Sequence, residues 1–200
     1  MSKTLDFIFD FASPNAYLAY KALPPILERT QAQLNIIPCL LGGLFKSTGN
    51  QAPMMAFQGV QGKLEYDQLE IRRFIAKHEL QDFSFNPHFP VNTLLLMRGA
   101  IAAQDAGQLQ AYVEAGLRCM WELGLKMDEA GISLQAMTEA GLDGELLLER
   151  TQDPQVKAKL MANTEAAVRR GAFGIPTFYV GDEMFFGKER LSQIEDELSA

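Results

Sequence analysis

The sequence has little of what redox, metal and nucleic-acid chemistry need. Its 200 residues hold two cysteines, Cys39 and Cys119, and no Cys-x-x-Cys pair. A dithiol redox motif is thereby excluded, and both thiols read as small apolar core residues. The two histidines, His78 and His88, have no ligand-type spacing to each other or to cysteine, so no metal is expected. Acidic residues outnumber basic ones 25 to 18, for a formal charge of −7. A nucleic-acid-binding face needs the opposite balance, so no nucleic-acid partner is expected. There is no long apolar run and no leader pattern at the start. Membrane insertion and export are therefore not expected, and a cytoplasmic protein is.

What is present suits one large domain, or one domain carrying an insertion: 48% of the residues are hydrophobic. The stretch Leu5 to Phe11 is dense in apolar and aromatic residues and predicts a central strand. It runs through Ala12 into Ser13-Pro14 and a helical pattern, Tyr17, Leu18, Tyr20, Leu23, Ile26 and Leu27. Ser13 falls at the N-cap and Pro14 at the first helical position, the favoured place for each. Two readings stay open for Ser13. It is a helix cap only, or it is a hydroxyl held where backbone N–H groups and the helix dipole collect an anion. Pro24-Pro25 should kink or restart the helix. Gln33 to Cys39 alternates and predicts a second strand, so the chain opens as a βαβ unit with a parallel pair.

Leu40 to Pro53 holds Gly42, Gly43, Gly49, Asn50 and Pro53 and reads as a long connection. Such a loop beside a strand end is either functional or a plain linker. From about Val60 to Arg170 the pattern is helix after helix, with no convincing strand. Gly171 to Gly187 then reads as strand, Gly-Asp turn, strand, which is a hairpin signal. Lys188 to Leu198 closes the chain as a helix. Ile175-Pro176-Thr177 begins the first of these late strands with proline, which is tolerated at a strand start. A cis bond there would turn the Ile175 N–H and C=O outward, free to pair with a peptide-like ligand.

These residues carry a resemblance. The βαβ unit with Ser13 at its helix start, the helical block and Gly174-Ile175-Pro176-Thr177-Phe178 look like the thioredoxin superfamily. The long helical insertion resembles its DsbA-like branch. Phe9-Asp10-Phe11-Ala12-Ser13-Pro14, then Leu40-Leu41-Gly42-Gly43-Leu44-Phe45-Lys46, then Phe173-Gly174-Ile175-Pro176-Thr177-Phe178 resemble 2-hydroxychromene-2-carboxylate isomerases and kappa-class glutathione transferases. The resemblance implies an α/β fold, a thioredoxin-like sheet (βαβ then hairpin and helix) with a large all-helical insertion. Residues 1–42 and 171–200 would form the thioredoxin-like part. Residues 43–170 would form the insertion, with the last helix, about 154–170, a candidate to pack on the sheet.

The resemblance further implies glutathione as cofactor and a small aromatic carboxylate as substrate, and it leaves room for a homodimer. Ser13 matches the serine that contacts the glutathione sulfur. Asn50 matches an asparagine lining the glutathione site, and Ile175, before a cis Pro176, the residue whose backbone pairs with the cysteinyl unit. Lys63 falls near a lysine at the glycyl carboxylate. Glu189 stands where relatives carry aspartate for the γ-glutamyl amine, one methylene longer. Lys46 is the leading cation for the substrate carboxylate, with Phe45 and Phe57 available to its ring or to the core. The implied activity is a glutathione-dependent isomerase in aromatic degradation. The alternatives are a kappa-like glutathione transferase and a non-catalytic glutathione- or peptide-binding module.

Overall fold

The computed structural model describes residues 3–200. Strand β1 (Thr4–Phe9) is followed by helices α1 (Pro14–Ala22) and α2 (Pro24–Thr30) and by strand β2 (Gln33–Pro38). Then come α3 (Leu41–Thr48), α4 (Pro53–Ala56), α5 (Lys63–His78), α6 (Leu94–Asp105) and α7 (Leu109–Trp121). They are followed by α8 (Ala130–Glu139), α9 (Gly144–Arg150) and α10 (Pro154–Arg169). Strands β3 (Thr177–Val180) and β4 (Glu183–Phe186), a 3-10 turn at Lys188–Arg190 and helix α11 (Leu191–Ser199) complete the chain.

The sheet order is β2-β1-β3-β4. β1 and β2 are parallel, Phe7 opposite Ile36, and β3 runs antiparallel to both β1 and β4. The two ends of the sequence thus share one sheet, as the strand patterns predicted, and no strand interrupts residues 60–170 among the described residues. β1 lies in the middle because it can be buried on both faces: Leu5, Phe7, Ile8 and Phe9 are inaccessible to solvent or nearly so. Phe7 stacks on Phe178 of β3 at 4.7 Å between ring centroids. Helices α6 and α10 lie against β2, and α11 lies against β3 and α2. One apolar core runs through sheet and helices, with Trp121, Tyr17 and Phe11 among its largest side chains.

Three sequence expectations are corrected. Leu40 to Pro53 is not an open connection but holds α3 and α4. The pair Gly42-Gly43 has poor intrinsic helix propensity, but tertiary packing overrides it. A Cβ on Gly43 would stand 3.0 Å from the Thr164 methyl of α10, so glycine lets the two helices approach. α3 then stops at Gly49, whose φ of 72° suits glycine. β1 ends at Phe9 and not at Phe11, because the Asp10 carboxylate turns back to the Ala12 N–H and ends the ladder. The closing helix opens as a 3-10 turn over Lys188–Arg190 before α11 begins. Pro24 does restart the helix, as α2.

Gly116 of α7 sits on the ring of Phe11, where an added Cβ would come within 2.4 Å. Gly116→Ala gains about 1 kcal/mol in helix propensity but must displace a fully buried ring, which costs about 1–3 kcal/mol. A net loss of stability is expected in urea melts. Gly131→Ala, where nothing lies within 4 Å of the added carbon, should be neutral or stabilising.

Candidate active site

The turn between β1 and α1 is fixed at every residue. Asp10 is fully buried, and its Oδ1 accepts from the Ala12 N–H (2.9 Å) and the Thr93 hydroxyl (2.6 Å). Its Oδ2 accepts from the Leu41 N–H (2.7 Å), the first of α3. The Trp121 indole N–H donates to the Phe11 carbonyl at 3.0 Å. The Ser13 N–H donates to the Asp10 carbonyl at 3.3 Å. Ser13 then caps α1: its Oγ accepts from the Ala16 N–H at 3.2 Å, and Pro14 opens the helix. No acidic residue lies in the first turn of α1 to oppose an anion.

The hydroxyl proton of Ser13 goes elsewhere. Ser13 Oγ donates to the Ile175 carbonyl at 2.9 Å, joining the two ends of the chain. Ile175-Pro176 is cis, as the resemblance implied, and so is Phe89-Pro90. The Pro176 carbonyl accepts from the Gly187 N–H (3.0 Å), and Thr177 Oγ1 donates to the Gly174 carbonyl (2.7 Å). The Ile175 N–H has no hydrogen-bond acceptor among the described residues. Asn50, just past the end of α3, donates from Nδ2 to the Phe173 carbonyl (2.8 Å) and accepts from the Gln51 N–H (2.8 Å). Ser13, Asn50, Ile175 and Pro176 therefore meet at one loop. Half-exposed Phe173 and Phe186, with ring centroids 4.5 Å apart, lie beside it.

The remaining sequence candidates sit differently. Lys46 is exposed in the last turn of α3 and Phe45 beside it is half-buried. Lys63 opens α5, pairs with Asp67 and lies 5.0 Å from the Phe57 ring centroid. No hydrogen bond or ion pair among the described residues links Lys46 or Lys63 to Ser13, Asn50 or Ile175. Glu189 follows β4 and is paired with Lys188, whose side chain is only 3% exposed and lies 5.4 Å from the Phe74 ring centroid. Sequence reasoning missed Asp10, Lys188 and Asn15. Asn15, in the first turn of α1, has its Oδ1 buried with no donor among the described residues. A signal existed for Asp10, a carboxylate inside the apolar run Phe9-Asp10-Phe11. None existed for Asn15 or Lys188.

A thioredoxin-like sheet whose helix start meets a cis-proline loop defines the class, and the chain belongs to it. The model of the DsbA-like thioredoxin domain family matches residues 4–199. The 2-hydroxychromene-2-carboxylate isomerase of Sphingobium xenophagum is 29% identical over 198 residues, covering 99% of each chain. Human glutathione S-transferase kappa 1 is 29% identical over 210 residues, covering 96% of this chain and 88% of its own. A solved structure of selenomethionine 2-hydroxychromene-2-carboxylate isomerase superposes with a TM-score of 0.83 at 25% identity, over 96% of this chain and 93% of that one.

Burial pushes the Asp10 carboxyl up from 3.8 to about 6, against the pull of its three donors. Burial, and to a lesser extent the Asp10 charge, pushes the Cys39 thiol up to about 12, so it stays neutral. Between those two carboxyl values the folded chain binds more protons than the unfolded one, so stability falls as pH rises through that window. Asp10→Asn lacks this dependence. Moving from pH ~7 to ~4.5 should therefore stabilise the native protein by about 2 kcal/mol relative to the variant. Denaturant melts of both proteins check this. An unchanged difference would place the Asp10 carboxyl at its ordinary value.

Proposed function

We propose that the protein is a glutathione-dependent isomerase of the 2-hydroxychromene-2-carboxylate type. It would interconvert a cyclic hemiketal carboxylate and a trans-benzylidenepyruvate in the cytoplasmic breakdown of aromatic compounds. The observation that carries the reading is the Ser13 hydroxyl on the Ile175 carbonyl at the start of α1, in a chain with no Cys-x-x-Cys pair to make that place a redox centre. Full-length relatives named for this isomerase support it.

The residues present fit a short peptide thiol. Among the described residues, Ile175 has an unpaired N–H and a carbonyl held only by a hydroxyl, and Asn15 has a buried oxygen without a donor. A tripeptide carries the complementary amide groups. Bound glutathione supplies a thiolate that adds to a conjugated carbonyl compound and leaves again, so the double bond is single long enough to rotate. Ser13 has one hydroxyl hydrogen and cannot give it to two acceptors. When a peptide N–H takes over the Ile175 carbonyl, that hydrogen is free to turn to the sulfur. The Ala16 N–H still holds the oxygen in place, and the dipole of α1, with no acidic residue in its first turn, favours the anion.

Asn50 would line the tripeptide through its contact with the loop at Phe173, and Ile175 before Pro176 would pair with its backbone. Glu189 would take the γ-glutamyl ammonium, sharing its carboxylate with Lys188. Lys63 would serve the glycyl carboxylate in competition with Asp67. Lys46 and Phe45 on α3 would receive the substrate carboxylate and ring.

A kappa-like transferase is the second reading, favoured by the relatives of that name. The two differ in the fate of the thiol. With a benzylidenepyruvate substrate, total free glutathione should stay constant while the substrate spectrum changes. Stoichiometric loss of thiol would establish the transferase instead. Ser13→Ala removes a hydrogen bond to a charged group, worth roughly 1.5–3 kcal/mol, and should slow turnover about 10- to 100-fold. Full activity in a folded Ser13→Ala variant would reduce Ser13 to a helix cap.

A further inference from the structure

We propose that Asp10 is the positioning residue that holds the two halves of this site, Ser13 and Asn50, in fixed relation. The proposal rests on the glutathione reading above. One carboxylate oxygen takes the Ala12 N–H, directly before Ser13, and the hydroxyl of Thr93 at the head of α6. The other takes the first N–H of α3, the helix whose end delivers Gly49 and Asn50. Ser13 reaches the Ile175 carbonyl and Asn50 the Phe173 carbonyl, two residues apart on the same loop. The contacts form a closed circuit, and Asp10 is the member that joins its two long arms.

An ionised carboxylate suits this place because it accepts at both oxygens and donates at neither. Asparagine would set an NH2 against one of the three donors. No cation pairs with Asp10 among the described residues, and its charge is felt by the buried Cys39 thiol. A buried carboxylate without a counter-ion is a poor device for stability alone. It is a good device for fixing three donors from three separate elements at one point.

The test compares five single variants and one double variant by calorimetric glutathione affinity and thermal melt. Asp10→Asn should weaken glutathione binding about tenfold, the lower end for a lost hydrogen bond to a charged group. Thr93→Val should weaken it a few-fold, and Thr93→Ser, which restores the hydroxyl, should recover it. Tyr112→Phe removes another buried hydrogen bond, to the Leu96 carbonyl, and should lower the melting temperature without moving affinity. In the Asp10→Asn background, adding Asn50→Ala should cost much less affinity than it does in the native protein. Asp10→Asn and Thr93→Val that melt lower yet keep native affinity, with the Asn50→Ala effect undiminished, overturn the proposal. If the native protein binds no glutathione, the functional reading falls, and Asp10 is judged by amide exchange in Thr93→Val. Faster exchange at Ala12 and Leu41 together then upholds the circuit, and any other pattern overturns it.

Discussion

The hydrogen bond from Ser13 to the Ile175 carbonyl joins residues 162 positions apart, and the rest of the site is arranged around it. It fixes the start of α1 to the loop that opens β3, and so sets the first helix against the last hairpin. Its partners are themselves fixed: Asp10, Trp121 and Gly116 hold the turn before Ser13, and the Gly187 N–H holds Pro176. What remains without a partner among the described residues is an N–H at Ile175 and an oxygen at Asn15. A rigid frame with a few unsatisfied groups is what preorganised binding requires, because little ordering is left for the ligand to impose.

The frame carries an energetic cost at Asp10. Three donors do not fully offset burial, and the carboxyl is left well above its ordinary range. Thr93 can reverse its hydroxyl, so a protonated Asp10 keeps all three partners. The geometry around Ser13 is thereby insulated from mild acid even though the charge is not. The thiol chemistry proposed for this site could then titrate without the turn coming apart beneath it.

Much of this was legible in the sequence, for local reasons. Ser13-Pro14 after an apolar strand marks a cap and a helix start, and Gly181-Asp182 between apolar runs marks the hairpin. The helix α3 was not legible, because Gly42-Gly43 has poor helix propensity and the packing that overrides it, α10 against the bare face of Gly43, lies far along the chain. Lys188 reads as a surface residue in its own segment. It is buried by Phe74, more than 100 positions earlier in the chain. The Asp10 network brings together Ala12, Leu41 and Thr93, three places that no sequence window contains. The resemblance supplied Asn50 and Ile175. Periodicity alone would have left both as loop residues.

The central claim is that the start of α1 holds a thiolate and that the Ser13 hydroxyl turns from the Ile175 carbonyl to serve it. Ultraviolet titration of glutathione bound to the protein measures this most directly, since thiolate absorbs where thiol does not. The account predicts a thiol pKa at least one unit below the free value of about 8.5, part of which is lost in Ser13→Ala while the part due to the helix end persists. A bound thiol that titrates at the free value, or one whose depressed value is untouched by Ser13→Ala, would contradict it.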